Sequence, residues 1–556
     1  MINKNDQFEI YITDLSDEGA GIGKTDGFTW FVKDAVIGDH ILAAATKVKK
    51  NYGFARLVKV IEPSASRTTP ACPLARSCGG CQLQQLEYDS QLKFKESKVL
   101  NDLKRIGGFT DAGAFFEPII GMQQPFRYRN KAVYPIGRNK EGRIIAGFYA
   151  GRTHSIIACE DCLLGFEENR IVLSTIIKFM GDNDIEPYNE NTGSGVVRHV
   201  LIRKGLHTGE LMVCIVINAG KLKNADVLCG RLREMLPSLK SFTLSVNRER
   251  TNVIMGTRII NVYGPGYIED LIHDRDGSQV RFRISPLSFF QVNSEQMEKL
   301  YGTALEFAGL TGNERVWDLY CGVGTISLFL ARHAKKVYGV EIIPEAIDNA
   351  RENAELNSID NAEFFVGKAE EVLPEWYSKE YRKTGEKIDV IVVDPPRKGC
   401  DENCLKTMVS IAPKRIVYVS CDPATLARDL KYLCSEGYRI ETVRPVDMFP
   451  QTVHVETVCL LSKLKSTQHI EVELDMDELD LTDAEKKATY QEIKDYVLEH
   501  TGLKVSSLYI AQVKQKCGII ERENYNKPKS EDAKQPQCPP DKEKAIKEAL
   551  KHFGMI

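Results

Sequence analysis

The sequence predicts an α/β protein whose principal domain is a doubly wound parallel sheet. Three observations carry this. After residue 289, the apolar strands VWDLY, VYGVE, IDVIVVD and RIVYVS recur about one strand-helix unit apart. The first sixty residues instead alternate apolar and polar in short runs, FEIYIT and TWFV among them, with glycine-rich turns between, which suits a small barrel. The composition is also that of an ordinary globular chain: of 556 residues, 43% are hydrophobic and 27% charged, so disorder, collagen and a disulfide miniprotein are excluded.

At about 150 residues per domain the length implies roughly three to four domains. A small barrel is expected over residues 1–62. A mixed α+β central domain follows over 63–285, where strand-like segments such as GELMVCIVIN alternate with short helical ones. The doubly wound domain covers 286–465. A helical extension covers 466–556, opening with the acidic run Glu471, Glu473, Asp475, Asp477, Glu478 and Asp480, a solvated linker in composition. Helices are expected there over 483–500, 506–517 and 542–552. The first two, joined by His500-Thr-Gly-Leu-Lys504, fit a helix-turn-helix and a plain packing appendage equally well.

The 74 Lys and Arg nearly cancel 77 Asp and Glu, so any polyanion site must be local. No run reaches the ~20 apolar residues that cross a bilayer, and the start MINKNDQFEI lacks a signal peptide's basic and apolar regions. A cytoplasmic protein without a membrane partner is expected. Fifteen cysteines are unevenly spread: Cys72, Cys78 and Cys81 cluster, as do Cys159 and Cys162, which suggests ligands before disulfides. The stretch Gly19-Ala-Gly-Ile-Gly-Lys-Thr25 approaches a P-loop, but Glu18 takes the first glycine's place and Asp26-Gly27 makes a turn where a helix should start.

Chemistry concentrates at the strand ends of the doubly wound domain. Asp318-Leu-Tyr-Cys-Gly-Val-Gly324 closes one strand with a glycine turn that lets backbone amides approach a ligand. Glu341 ends the next, where a carboxylate can accept both ribose hydroxyls of an adenosyl group. Ser327 stands at the third glycine of the dinucleotide fingerprint, which favours S-adenosylmethionine over NAD. Asp394-Pro-Pro-Arg397 ends a third strand; Arg397 replaces the aromatic residue with which amino-group methyltransferases stack a base, so an exocyclic amine is a disfavoured target.

Cys421 follows RIVYVS on the same edge. Carbon-5 of uracil is too weak a nucleophile to attack a methyl sulfonium, but a thiolate added at carbon-6 turns the ring into an enolate with electron density at carbon-5. A base must then remove the carbon-5 proton. Glu456 is the candidate, on a strand expected to begin after Phe449-Pro450 and to carry His454 and Glu456 on one face by period-two alternation.

Taken together, Asp394-Pro-Pro-Arg-x-Gly399, Tyr418-x-Ser-Cys421, Asp447-x-Phe-Pro-Gln-Thr-x-His-x-Glu456 and Phe289-Phe-Gln-Val-Asn293 resemble the RNA 5-methyluridine (uracil-C5) methyltransferase family. The resemblance implies a Rossmann-like S-adenosylmethionine-dependent domain, with Cys421 as nucleophile and Glu456 as proton acceptor. It also implies Gln291, Tyr320, Thr325, Glu341 and Asp394 around the methyl donor, with Asp394 alternatively on the uracil edge. Two residues depart from the pattern. Asp422 replaces the family's usual asparagine, setting an acid beside the thiol, and Arg397 is the expected compensating cation. Lys368 stands where relatives carry an acid or amide facing adenine, so it is left out of the pocket.

Cys72-x5-Cys78-x2-Cys81 with distant Cys162 offers four thiolates, acceptable to an iron-sulfur centre or to zinc. The spacing is similar to that of the family's 23S rRNA members, which implies a [4Fe-4S] cluster on Cys72, Cys78, Cys81 and Cys162, with Cys159 the rival fourth ligand. The N-terminal residues resemble the TRAM domain, an OB-like RNA-binding barrel. Both additions imply large-subunit rRNA as substrate, probed in a single-stranded loop, and no obligate protein partner. Phe126-Arg-Tyr-Arg-Asn-Lys131 sets cations beside aromatics, as single-stranded RNA recognition requires.

Overall fold

Along Gln7–Leu15 every second side chain turns inward, and Phe8, Ile10 and Ile12 meet Trp30, Val32, Ile41 and Ala43 in one core. In the computed structural model, which describes residues 2–151, 153–385, 387–464, 490–517, 538–553 and 555, this strand belongs to a closed five-stranded barrel. Its neighbours around the wall are Gly21–Thr25, Phe28–Lys33, Tyr52–Glu62 and His40–Val48. Closure leaves no free sheet edge. A Cβ at Gly53 would stand 2.3 Å from the Trp30 ring, so the indole fills the barrel only over glycine. The P-loop-like stretch supplies the strand Gly21–Thr25, followed by a left-handed turn at Asp26 and Gly27.

By its contacts the chain forms two compact units, residues 1–465 and 466–556. Within the larger, a seven-stranded sheet runs in the order Arg258–Tyr263, Leu239–Val246, Leu211–Ile217, Val197–Lys204, Lys131–Arg138, Ile144–Tyr149, Ile156–Ala158. Leu211–Ile217 is buried along its whole length and is correspondingly apolar throughout. Helices Glu168–Asp182 and Ala225–Met235 share a core with one face. Leu201, Met212 and Cys214 share another core with the hairpin Ile268–His273/Gln279–Ile284 and the helix Ser294–Ala308.

The second seven-stranded sheet has the order Ala362–Val366, Lys336–Glu341, Arg315–Leu319, Val390–Val393, Arg415–Ser420, Glu456–Lys463, Tyr438–Val446. Its first five strands are parallel, and the order reverses between Arg315–Leu319 and Val390–Val393, which opens the crevice where ligands bind in such sheets. The doubly wound expectation holds with one change: Glu456–Lys463 lies antiparallel between its neighbours. The connection from Tyr438–Val446 is a short loop, and a parallel return needs a crossover of a dozen or more residues. A second correction concerns His454, which lies in that loop, because the strand begins at Glu456 itself.

The stretch after the first cysteines is built onto this second sheet. Glu117 and Ile120 donate backbone hydrogen bonds to Val443 (2.8 Å) and Pro445 (3.0 Å) of the edge strand. Val99 and Leu103, at the end of the helix Tyr88–Asp102, share a core with Leu426 and Leu430 of the helix Pro423–Ser435.

In the smaller unit, helices Tyr490–Thr501, Ser507–Lys516 and Pro540–His552 bury Ile493, Val497, Ile510, Val513, Ile546 and Leu550 together. The acidic run and the expected helix start at 483 lie outside the described residues. Among the described residues no helix is long and apolar enough to cross a membrane.

Candidate active site

At the end of Arg315–Leu319 the chain enters the left-handed region at Tyr320 (φ 65°), a conformation that costs a non-glycine residue on the order of 1–3 kcal/mol. Gly322 and Gly324 continue it, and Gly324 caps the helix Thr325–Ala331. Glu341 closes the loop from the next strand: its carboxylate accepts from the amides of Gly322 (3.3 Å) and Ile343 (3.1 Å). The Thr325 hydroxyl meets that of Tyr301 at 3.0 Å. Beneath the loop, Asp318 accepts from the Ser327 hydroxyl through Oδ2, while its buried Oδ1 has no partner among the described residues. An amide-lined loop, a strand-end carboxylate and an orphaned acceptor form a donor set suited to an adenosyl amino acid.

Gln291 is buried just ahead of the helix Ser294–Ala308 that carries Tyr301; Asn130 Nδ2 holds its backbone carbonyl at 2.8 Å. The Tyr320 hydroxyl lies against Cys404. Lys368 is exposed and paired with Glu371.

Cys421 sits between the strand Arg415–Ser420 and the helix Pro423–Ser435, whose N-cap is Asp422. The Asp422 carboxylate accepts from the amides of Ala424 (3.0 Å) and Thr425 (3.1 Å). Asn and Asp serve this cap equally well, which accounts for the exchange seen in the sequence. Burial, and then the charges of Glu456 and Asp394, push the Cys421 thiol up to about 12, while Arg397 pulls the other way. Burial, and then Asp394, raise Glu456 to about 8, again against Arg397, and burial raises Asp394 to about 7. Burial, and then the charges of Asp394, Asp318 and Glu456, raise the hydroxyl of Tyr301, which meets Thr325, so Thr325, Asp394, Cys421 and Glu456 lie within electrostatic reach of one another. Carboxyls so crowded do not all ionise near neutrality, and a carboxyl poised near 8 is suited to proton transfer near neutral pH.

The loop that delivers Glu456 is clamped by the cysteine-bearing segment. Gln451, itself left-handed (φ 69°), exchanges hydrogen bonds with the buried side chain of Gln91 (3.0 and 3.1 Å), and its carbonyl accepts from the amides of Gln82 and Leu83. Lys95, wholly buried, donates to Asp447 (2.5 Å) and to the carbonyl of Phe449 (3.1 Å). Tyr88 donates to the other Asp447 oxygen at 2.9 Å, and Tyr128 to the carbonyl of Pro450 at 3.0 Å. Burial pushes His454 down to about 4, helped by Arg397, Lys98, Lys95 and Arg129. None of these anchors was legible as such, although Asp447 and Gln451 fall within the quoted motif; the only signal was their place two or more residues from any catalytic position.

Three residues of 126–131 are engaged within the protein rather than free for RNA, while Phe126, Arg129 and Lys131 stay partly exposed. Tyr128 is buried, and Arg127 is occupied by Asp161 (2.6 Å) and by the carbonyls of Cys162 and Gly165. Asn130 bonds Gln291 and Ser294. Arg127, Tyr128 and Asn130 staple the cysteine region to the catalytic domain.

Cys72, Cys78, Cys81, Cys159 and Cys162 lie within electrostatic reach of one another: burial foremost raises Cys78 and Cys81, the hydrogen bond to Cys162 foremost raises Cys159, and Cys72 and Cys162 add to all three. Cys162 is the exception: a hydrogen bond from Cys159, then the amides of Leu164 and Gly165, draw it down against burial. The Gly80 amide donates to Cys78 Sγ at 3.4 Å. Thiols ringed by amides are a donor set that fits a thiolate-bound centre.

Fold and strand-end chemistry define the class, a doubly wound methyltransferase domain behind a small barrel. Comparison with known proteins agrees: residues 247–464 match the model of the tRNA (Uracil-5-)-methyltransferase family, and residues 4–58 that of the TRAM domain. An uncharacterized RNA methyltransferase of Halalkalibacterium halodurans is 48% identical over 460 residues, 83% of this chain and 98% of the relative. One of Clostridium acetobutylicum is 46% identical over 463 residues, 83% of this chain and 98% of that relative. The crystal structure of the Pyrococcus abyssi tRNA (uracil-54, C5)-methyltransferase with S-adenosyl-L-homocysteine superposes with a TM-score of 0.64 at 31% identity, covering 82% of this chain and all of that one. The chain belongs to the RNA uracil-5-methyltransferase family.

Proposed function

We propose that this enzyme methylates carbon-5 of a uridine in 23S rRNA through a covalent adduct of Cys421, with S-adenosylmethionine as methyl donor. The observation that carries the reading is the convergence of the Cys421 thiol, the Glu456 carboxyl and Asp394 beside the glycine loop. The Cys421 thiolate adds to carbon-6, and the ring electrons move toward carbon-5. Bound against Gln291, Tyr320, Thr325, Glu341 and Asp394, the donor supplies an electrophilic methyl group. Once carbon-5 carries that methyl, Glu456 takes its proton, the carbon-5 to carbon-6 double bond re-forms, and the thiolate leaves. Arg397 and the N-terminus of Pro423–Ser435 lower the cost of the thiolate.

On the same reading Cys72, Cys78, Cys81 and Cys162 hold a [4Fe-4S] cluster, which would cross-link the segment clamping the Glu456 loop; Cys159 donates to Cys162. Among the described residues, the groups whose ligand atoms all lie within 4.8 Å contain no cysteine. No three of these sulfurs therefore approach one another as closely as the ~3.8 Å edge of a zinc-thiolate tetrahedron with bonds near 2.3 Å requires. Brown protein carrying iron and sulfide supports the cluster; colourless protein carrying zinc on these thiols rejects it.

The barrel and the cysteine centre support rRNA, and the cytoplasm is the compartment where that substrate is met. A tRNA uridine is the second reading, favoured by the identity to the archaeal tRNA enzyme over its entire length. Mass mapping of 5-methyluridine after reaction with purified 23S rRNA and with bulk tRNA chooses between them: methylation confined to tRNA overturns the rRNA assignment.

A further inference from the structure

We propose that His207, His273 and Glu298 form a binding site for one divalent first-row transition-metal ion, zinc foremost, which pins the central sheet to the helix Ser294–Ala308. His207 lies in the turn between Val197–Lys204 and Leu211–Ile217, His273 ends a strand of the hairpin, and Glu298 is on the helix. Their ligand atoms lie mutually within 4.8 Å. Glu298 Oε1 stands 2.9 Å from His207 Nε2 and 3.0 Å from His273 Nδ1, close to the ~3.3 Å edge of a tetrahedron with metal bonds of about 2.0–2.1 Å. Two imidazoles and one carboxylate are a zinc donor set, and the exposure of His207 with the partial exposure of His273 and Glu298 leaves a fourth position to water.

Each ligand is held in place without a metal. The buried Asp270 carboxylate accepts from the amides of Leu206 (2.9 Å) and His207 (3.0 Å) and so fixes the turn. The His273 amide donates to Glu298 Oε1 at 2.7 Å and fixes the carboxylate. Metal binding requires each imidazole to present a lone pair where it now shares a proton with Glu298. The proton moves to His207 Nδ1 and His273 Nε2, on rings 24% and 39% exposed, where water can accept it, so no buried donor is orphaned.

The test is titration of the full-length protein with cobalt(II). The expected result is one bound ion with visible d–d absorption, no sulfur-to-cobalt charge-transfer band, release by zinc, and a raised melting temperature. His207→Ala and Glu298→Gln should each weaken cobalt by at least about 10–100-fold, since loss of even an outer-shell partner does as much. Glu298→Gln keeps an acceptor for the His273 amide, so its unchanged circular dichroism separates lost ligation from lost fold. The proposal is overturned by no binding, by a spectrum carrying only the sulfur band, or by affinity unchanged in both variants.

Discussion

The thiol of Cys421 is held back by the same carboxyls that complete the site. Burial with Glu456 and Asp394 raises it, whereas Arg397 opposes them, so the thiol proposed as nucleophile is protonated at rest. Cys421→Ser should lower methyl transfer by about 10⁴-fold or more, as loss of a nucleophile does elsewhere, measured with radiolabelled donor on RNA. Glu456→Gln should lose ~10²–10⁴ in turnover and accumulate a methylated protein-RNA band on a denaturing gel. Glu456 also sets a pH dependence. Folding raises its carboxyl from 4.5 to about 8, so the unfolded chain releases the proton first. The contribution to stability is complete below about 4.5 and is lost as pH climbs through about 8. Melting temperature should fall over that window, and less steeply in Glu456→Gln, while proton abstraction gains over the same range; an identical slope in the variant would remove Glu456 as the source.

At the scale of elements, the loop from Asp447 to Val455 has no regular structure of its own and takes its shape from partners about 350 residues upstream. The Lys95–Asp447 pair spans 352 positions and Gln91–Gln451 spans 360. This is why these residues could be quoted as part of a motif and yet not be understood from it: a local pattern exposes periodicity and turn chemistry, but not a buried partner in a distant helix. His454 illustrates the limit, since alternation extended the strand two residues too far into a segment held by such contacts. With both partners fully buried, Asp447→Ala should cost about 3–5 kcal/mol in urea unfolding by leaving Lys95 uncompensated. The paired change Lys95→Met with Asp447→Leu should recover much of it, and no recovery would mean that Tyr88 and the loop carbonyl, not the ion pair, carry the clamp.

Across the whole molecule, the parts with strong periodicity were the legible ones. Alternation with glycine turns announced the barrel, and four apolar strands a unit apart announced the doubly wound sheet, with Thr325, Glu341, Asp394 and Cys421 all at strand or loop ends on one edge. The antiparallel insertion of Glu456–Lys463 and the annexation of residues 115–121 by the catalytic sheet left no trace in periodicity, because both are decided by pairing at long range. Residues 1–465 form a unit by themselves, and complete relatives align over about that length. A chain ending at Lys465 should therefore keep its melting transition and its methyl transfer to RNA; loss of either would give the last helices a part in the catalytic fold.

The central claim is that sulfur bonds the pyrimidine before the methyl group moves. Its most direct test is incubation with substrate RNA carrying 5-fluorouridine at the modified position, followed by digestion and mass spectrometry. Fluorine cannot leave as a proton to Glu456, so the account predicts a stable peptide containing Cys421 joined to a methylated fluorouridine. Methylation of ordinary RNA with no such adduct, or an adduct on any other cysteine, would contradict it.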